Sequence, residues 1–347
     1  MIDRRGALVG LGLAAGVAAL SRGMSADAAP VPVRKPARLK AGDTVGLVVP
    51  ASPVGDRFDM DLTVEAITAM GLKARVGAHA LEQTGYLAGD DKARAADVNA
   101  MFADKSVKAV FAVRGGWGCA RILPHIDWDV VKANPKLLVG YSDITALHMA
   151  MVAKAGFGTV HGPNANSAWG RLSWDNFKAI AFDGAMPTYR NPVGEDDRLV
   201  QRAGRIRTLR GGKARGRLLG GNLTVLSALM GTPYLPDFSG AILFLEDVDE
   251  AEYRIDRMLT QLSLGGVLGK LSGVVFGQCT DCRASGDTLS GFTLSEVLEH
   301  HLAPLGVPAF QGLEFGHIDN QFSLPVGVNA EIDADAGTLR LLEAAVV

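Results

Sequence analysis

Apolar runs near 43–49, 73–77, 107–113, 137–140 and 158–161 alternate with helical stretches near 58–71, 90–103 and 143–155. Short, near-continuous aliphatic runs are the mark of strands buried on both faces, and parallel strands need crossover helices of the length found between them. The alternation therefore predicts a largely parallel sheet with helices on both faces. Ligands of such sheets gather beyond the carboxyl ends of the strands. The stretch 167–214, with RLSWDN, MPTYRNPVGEDD and most of the RGGKARGR run, is polar and turn-rich and reads as a linker region. Shorter strands around 241–246, 272–277 and 339–342, with helices near 222–230, 252–263 and 293–302, then fill a second region. The expected organisation is α/β, with an N-terminal domain over 40–166, the linker over 167–214 and a C-terminal domain over 215–345. A hydrophobic fraction of 48% over 347 residues is enough for two packed cores.

Three of the apolar runs stop at residues suited to nucleophilic catalysis: Ser142 in KLLVGYSDITAL, Glu246 in AILFLEDVDE and His317 in GLEFGHIDN. Around Ser142 the pattern reads strand, tight turn, helix, so the serine lies beside the first free amides of a helix. The amide of Asp143 is then a natural oxyanion donor. Serine and aspartate are also ordinary helix caps, and Ile144 stands where a G-x-S-x-G elbow has its second glycine, so the turn alone leaves both readings open. A second turn, Arg114-Gly115-Gly116-Trp117-Gly118, follows the run VKAVFAV; either Gly115 or Gly116 would supply the other oxyanion donor, or the glycines merely supply positive φ. Glu246 directly follows LFL and is the carboxylate expected to be buried, whereas Asp247, Asp249, Glu250 and Glu252 read as a solvated helix start. No histidine or cysteine lies at ligand spacing in that cluster, so no metal and no cofactor is assigned. By spacing alone His161, in VHGPN, rivals His317 as the general base.

The chain resembles the LD-carboxypeptidases, serine peptidases that include the muramoyl-tetrapeptide carboxypeptidases of peptidoglycan recycling. The resemblance is carried, in order, by GDTVGLVVPASPV (42–54), GYLAGDDKARAADVNAMF (85–102), VRGGWG (113–118), GYSDIT (140–145), HGPN (161–164), GRLLGGNLTVL (216–226), LFLEDVDEAEYRIDRML (243–259) and GLEFGHIDN (312–320). It implies Ser142 as nucleophile, Glu246 as the triad carboxylate and His317, over His161, as general base. The Gly115 turn and the Asp143 amide would form the oxyanion site. The resemblance further implies a smaller, barrel-like second domain, an active site between the domains, a homodimer, and a murein tetrapeptide as substrate. That peptide loses a terminal D-alanine that follows an L-configured centre. Its free carboxylate suggests a cationic contact, with Arg114 and Arg254 as candidates. A runner-up is a relative that hydrolyses peptidyl or aminoacyl nucleotides, for which Trp117, Trp169 and Trp174 would offer a stacking surface. A third reading, a non-catalytic periplasmic binding protein, has no need of Ser142, His317 and Glu246 together.

Residues 1–28 read as a twin-arginine-type signal peptide: Arg4-Arg5, the apolar run 7–20 and an Ala26-Asp27-Ala28 cleavage site. That run is too short and glycine-rich for a stable membrane anchor. A periplasmic location is expected, where trimming of wall peptides is favoured over salvage of imported fragments. A net charge of −2 and 6% aromatic residues argue against a nucleic-acid partner. Cys119 reads as a small buried side chain, and Cys279 and Cys282 as either a local disulfide or two plain thiols.

Overall fold

The structure, a computed structural model, describes residues 34–192, 200, 204–283 and 291–347. The signal-peptide assignment at 1–28 lies outside the described residues. In chain order the first elements are β1 (Thr44–Val48), α1 (Arg57–Ala69), β2 (Lys73–Val76), α2 (Asp91–Ala103), β3 (Val107–Ala112), α3 (Cys119–Ile122), α4 (Trp128–Ala133), β4 (Leu137–Gly140), α5 (Thr145–Ala150), β5 (Thr159–His161) and α6 (Arg171–Ala181). Then come β6 (Thr188–Tyr189), β7 (Arg207–Arg210), β8 (Lys213–Asn222), α7 (Leu223–Ala228), β9 (Ile242–Val248), α8 (Glu252–Leu264) and β10 (Gly273–Thr280). The chain closes with α9 (Leu294–Leu302), β11 (Ala309–Gln311), β12 (Leu324–Val326), β13 (Asn329–Asp333) and β14 (Thr338–Leu341).

The first sheet has the order β12-β5-β4-β3-β1-β2, with β1 to β5 parallel and β12 antiparallel to β5. Its central strands are buried on both faces, as all four residues of β4 show. Strand order reverses between β1 and β3, so the loops leaving those two strands flank a topological switch point, the place where ligands bind in open sheets. Side chains outside the apolar pattern set where the helices begin: Asp56 caps α1 through the Asp59 amide, and Asp90 caps α2 through the Ala93 amide.

The second sheet, of order β6-β14-β13-β8-β9-β10-β11-β7, curls into a half-barrel around parallel β8 to β11. This is the mixed α/β architecture expected, with the barrel-like part left open at two edges. The polar stretch 167–214 carries more structure than a linker: it holds α6, and its two strands β6 and β7 are the outer edges of the second sheet. Edge strands face water, so their polar composition concealed them. Likewise β8 was hidden by its glycines. A Cβ on Gly220, at φ 145, would sit 1.8 Å from the Phe244 carbonyl oxygen, so close approach of β9 requires glycine there. Strand β12 leaves the C-terminal region and completes the first sheet beside β5, Leu324 opposite His161.

Candidate active site

Leu137 to Val139 form the buried core of β4, and the chain turns sharply after Gly140 into the 3-10 turn Ser142–Ile144. Ser142 has φ 65, a left-handed conformation that few residues other than glycine adopt. The turn thereby lifts the serine above the sheet and directs it toward the second one. Glu246 lies near the end of β9, fully buried, opposite Asn222 of β8. His317 follows β11 in a loop whose Gly316, at φ 114, comes so near Glu246 that a Cβ would lie 2.9 Å from its Oε2. The three side chains form one line: His317 Nδ1 is 2.7 Å from Glu246 Oε2, and His317 Nε2 is 3.0 Å from Ser142 Oγ. An ionised carboxylate can only accept, so Nδ1 carries the proton, and Nε2 is left to accept from the Ser142 hydroxyl.

Burial disfavours the charged form of His317, but the hydrogen bond and charge of Glu246, with Asp247 behind, raise its pKa overall. Asp247 is itself buried and its pKa is pushed up to about 6, first by desolvation and then by the Glu246 charge. Bonds from the Asn222 amide group (3.0 Å), the Thr224 amide and hydroxyl (both 2.9 Å) and the Val248 amide (2.9 Å) oppose that shift. The Thr280 hydroxyl donates to the His317 carbonyl at 2.6 Å, and Thr280 lies inside the Cys279–Cys282 disulfide loop. Of the two states open to that pair, the structure takes the bonded one.

The glycine turn packs directly on the serine. A Cβ on Gly115 would fall 2.9 Å from Ser142 Cβ, and one on Gly116, at φ 107, would fall 2.3 Å from Ser52 Oγ. Ser52, from the loop after β1, ties this turn at two points: its amide donates to the Gly115 carbonyl (3.3 Å), and its hydroxyl accepts from the Trp117 amide (3.1 Å). The buried Asp143 carboxylate accepts from the Cys119 amide at 2.7 Å, joining the serine turn to α3. Arg114 is half-buried and donates to the Pro53 carbonyl at 2.9 Å. Arg254 is paired with Glu250. His161 is fully buried against Phe244 and Phe315, burial holds it neutral, and neither ring nitrogen has a hydrogen-bond partner among the described residues. The structure thus places His317, and not His161, against Ser142.

The model of the LD-carboxypeptidase N-terminal domain matches residues 45–162, and that of the C-terminal domain matches residues 215–332. The chain belongs to the LD-carboxypeptidase family. It is 37% identical over 86% of its length to a Bacillus subtilis protein named a probable murein peptide carboxypeptidase, covering 91% of that relative. To the murein tetrapeptide carboxypeptidase of Pseudomonas aeruginosa it is 31% identical, with 84% of this chain and 93% of the relative covered. In three dimensions it matches MccF in complex with glutamyl sulfamoyl guanosine at TM-score 0.81 and 26% identity, over 91% of this chain and 100% of MccF.

Several neighbours of the site escaped the reading of the sequence. Tyr141 places its ring 4.8 Å from the His317 ring, and Ser52 organises the glycine turn. Arg94 reaches from α2 to the Pro50 carbonyl and, at 2.9 Å, to the Gly118 carbonyl. The only available signal for Ser52 was its place just past the end of β1, at a future switch point. A charged residue within a helix gave no reason to expect Arg94 buried.

Proposed function

We propose that this member of the carboxypeptidase family is a serine enzyme that removes the terminal D-alanine from murein tetrapeptides. The observation that carries this reading is the line Ser142 Oγ, His317 Nε2, His317 Nδ1, Glu246 Oε2, with contacts of 3.0 and 2.7 Å. His317 accepts the Ser142 proton as Oγ attacks the peptide carbonyl, then returns it to the leaving amine. Glu246 fixes the tautomer and stabilises the imidazolium. The amides of Gly115 or Gly116 and of Asp143 donate to the oxyanion, a reading supported by the glycine turn packed on Ser142 and by the place of Asp143 next to it in the 3-10 turn. Water then releases the tripeptide from the acyl-enzyme, with His317 again as base.

Arg114 serves the substrate carboxylate better than Arg254, whose charge is matched by Glu250. The reading includes export to the periplasm by the segment 1–28, action without a membrane anchor, and a homodimer. Among the described residues no helix is long and apolar enough to cross a membrane. The test is mass spectrometry of the protein incubated with an anhydromuropeptide tetrapeptide, beside Ser142→Ala. Loss of one alanine with wild type only is expected. No loss with wild type rejects this substrate, and aminoacyl nucleotides would be tried next.

A further inference from the structure

Tyr86 and Trp117 project into water beside the nucleophile turn, 67% and 51% exposed. Their ring centroids are 5.5 Å apart in an edge-to-face arrangement, and the Arg121 guanidinium lies 5.8 Å from the Trp117 ring centre. The pair is held from below. Arg121 makes three contacts of 2.8–3.0 Å with Asp91, the Trp117 amide is bound by Ser52, and Leu87 packs so tightly on Gly118 that a Cβ there would lie 2.6 Å away. Rigid aromatic rings left open to solvent are costly as bare surface and economical as contact surface, since little freedom is lost on binding. Two residues before Trp117, Gly115 touches Ser142.

We propose that Tyr86 and Trp117 form a platform for the sugar end of a glycan-linked substrate, with the apolar face of a neutral amino-sugar ring stacked on Trp117. The proposal rests on the carboxypeptidase reading and extends it to the part of the substrate beyond the peptide. A single alanine leaving group is too small to use two exposed rings and calls for a cation near its carboxylate. The acyl portion is the long one and must run out toward solvent. The Arg121 guanidinium is paired with Asp91, which Arg94 also shares, and the two exposed rings themselves present the apolar faces on which a neutral pyranose stacks.

The experiment uses the full chain carrying Ser142→Ala, with calorimetric titration of an N-acetylmuramoyl tetrapeptide and of the free tetrapeptide. Binding about tenfold tighter for the sugar-linked peptide is expected, the size of effect one aromatic stacking contact supports. Adding Trp117→Ala should bring the ratio of affinities close to one, Tyr86→Ala should lower it, and Trp117→Phe should retain most of it. Equal affinities in the parent, or a ratio untouched by Trp117→Ala and Tyr86→Ala, overturns the platform. So does a change of oligomeric state on sedimentation with both affinities falling alike, which would make the face a contact between copies, and so does tighter binding of an aminoacyl nucleotide that depends on Trp117. Alanine release by wild type, recorded in parallel, reports on the carboxypeptidase reading alone. Release without an affinity difference sinks the platform and spares that reading; an affinity difference without release does the reverse.

Discussion

Ser142 holds a left-handed conformation at φ 65 that costs about 1–3 kcal/mol and persists because β4 and the following turn over-determine it. Gly115 belongs to the same arrangement. Its φ is ordinary, so its requirement is one of space: Gly115→Ala puts a Cβ 2.9 Å from Ser142 Cβ and must push Ser142 away. We expect a folded protein whose kcat/KM is about 10²-fold lower, measured by alanine release. In the proposed mechanism His317 must be neutral to act as base, and Glu246 raises its pKa against the effect of burial. The acid limb of the kcat/KM profile should therefore lie above pH 6.5, the ordinary histidine value. Glu246→Gln removes the charge that favours imidazolium while burial remains, so the limb should move to lower pH and kcat/KM should fall by about 10³–10⁴-fold. A limb that stays put in a pH-rate profile would contradict this account of Glu246. At this scale the sequence was informative where an apolar run ended in a reactive residue. It was silent on Ser52 and Tyr141, whose roles depend on which loops meet.

Helix α2 illustrates what a single element contributes beyond its amphipathic pattern. The structure starts it within a residue of the expected 90–103, with Asp90 as its N-cap. Its function in the site comes from Arg94, which is 2% exposed and donates to the Pro50 and Gly118 carbonyls while pairing with Asp91. One guanidinium thus links the loop after β1 to the turn that carries Gly115 and Trp117. Arg94→Leu would leave the Pro50 carbonyl without its donor, at about 1–3 kcal/mol for a buried acceptor left unpaired, while the Gly118 carbonyl keeps the Arg121 amide at 3.1 Å. Urea denaturation should register that loss, and activity should fall with it because the glycine turn is no longer held. Strands β6, β7 and β8 make the complementary point. Polar edges and glycine-rich close contacts erase the alternation by which strands are recognised, so only pairing with β14, β11 and β9 identifies them.

The two sheets are joined as well as adjacent. β12 departs from the C-terminal region to pair with β5, the Asn222 amide donates to Thr145 Oγ1 at 2.9 Å, and Tyr189 donates to the Ser323 carbonyl at 2.9 Å. Shared strands and buried cross-links predict that neither sheet unfolds alone. The four tryptophans, Trp117, Trp128, Trp169 and Trp174, lie in helices and loops that precede the second sheet's central strands, Trp128 against Tyr234, whereas far-ultraviolet circular dichroism sees both sheets. Their urea transitions should coincide; a tryptophan signal that melts apart from the dichroism would show the sheets to be independent. By itself the sequence determined the parallel first sheet, because buried strands and crossover helices imprint a local periodicity on the chain. It also marked Ser142, Glu246 and His317 as reactive groups at strand ends, while its spacing left His161 level with His317. The family resemblance favoured His317, and tertiary structure set that histidine, and not His161, against Ser142, turned a polar linker into two sheet edges and brought β12 home to the first sheet. Those outcomes rest on contacts between residues far apart in the chain, and neither periodicity nor spacing carries information about such contacts.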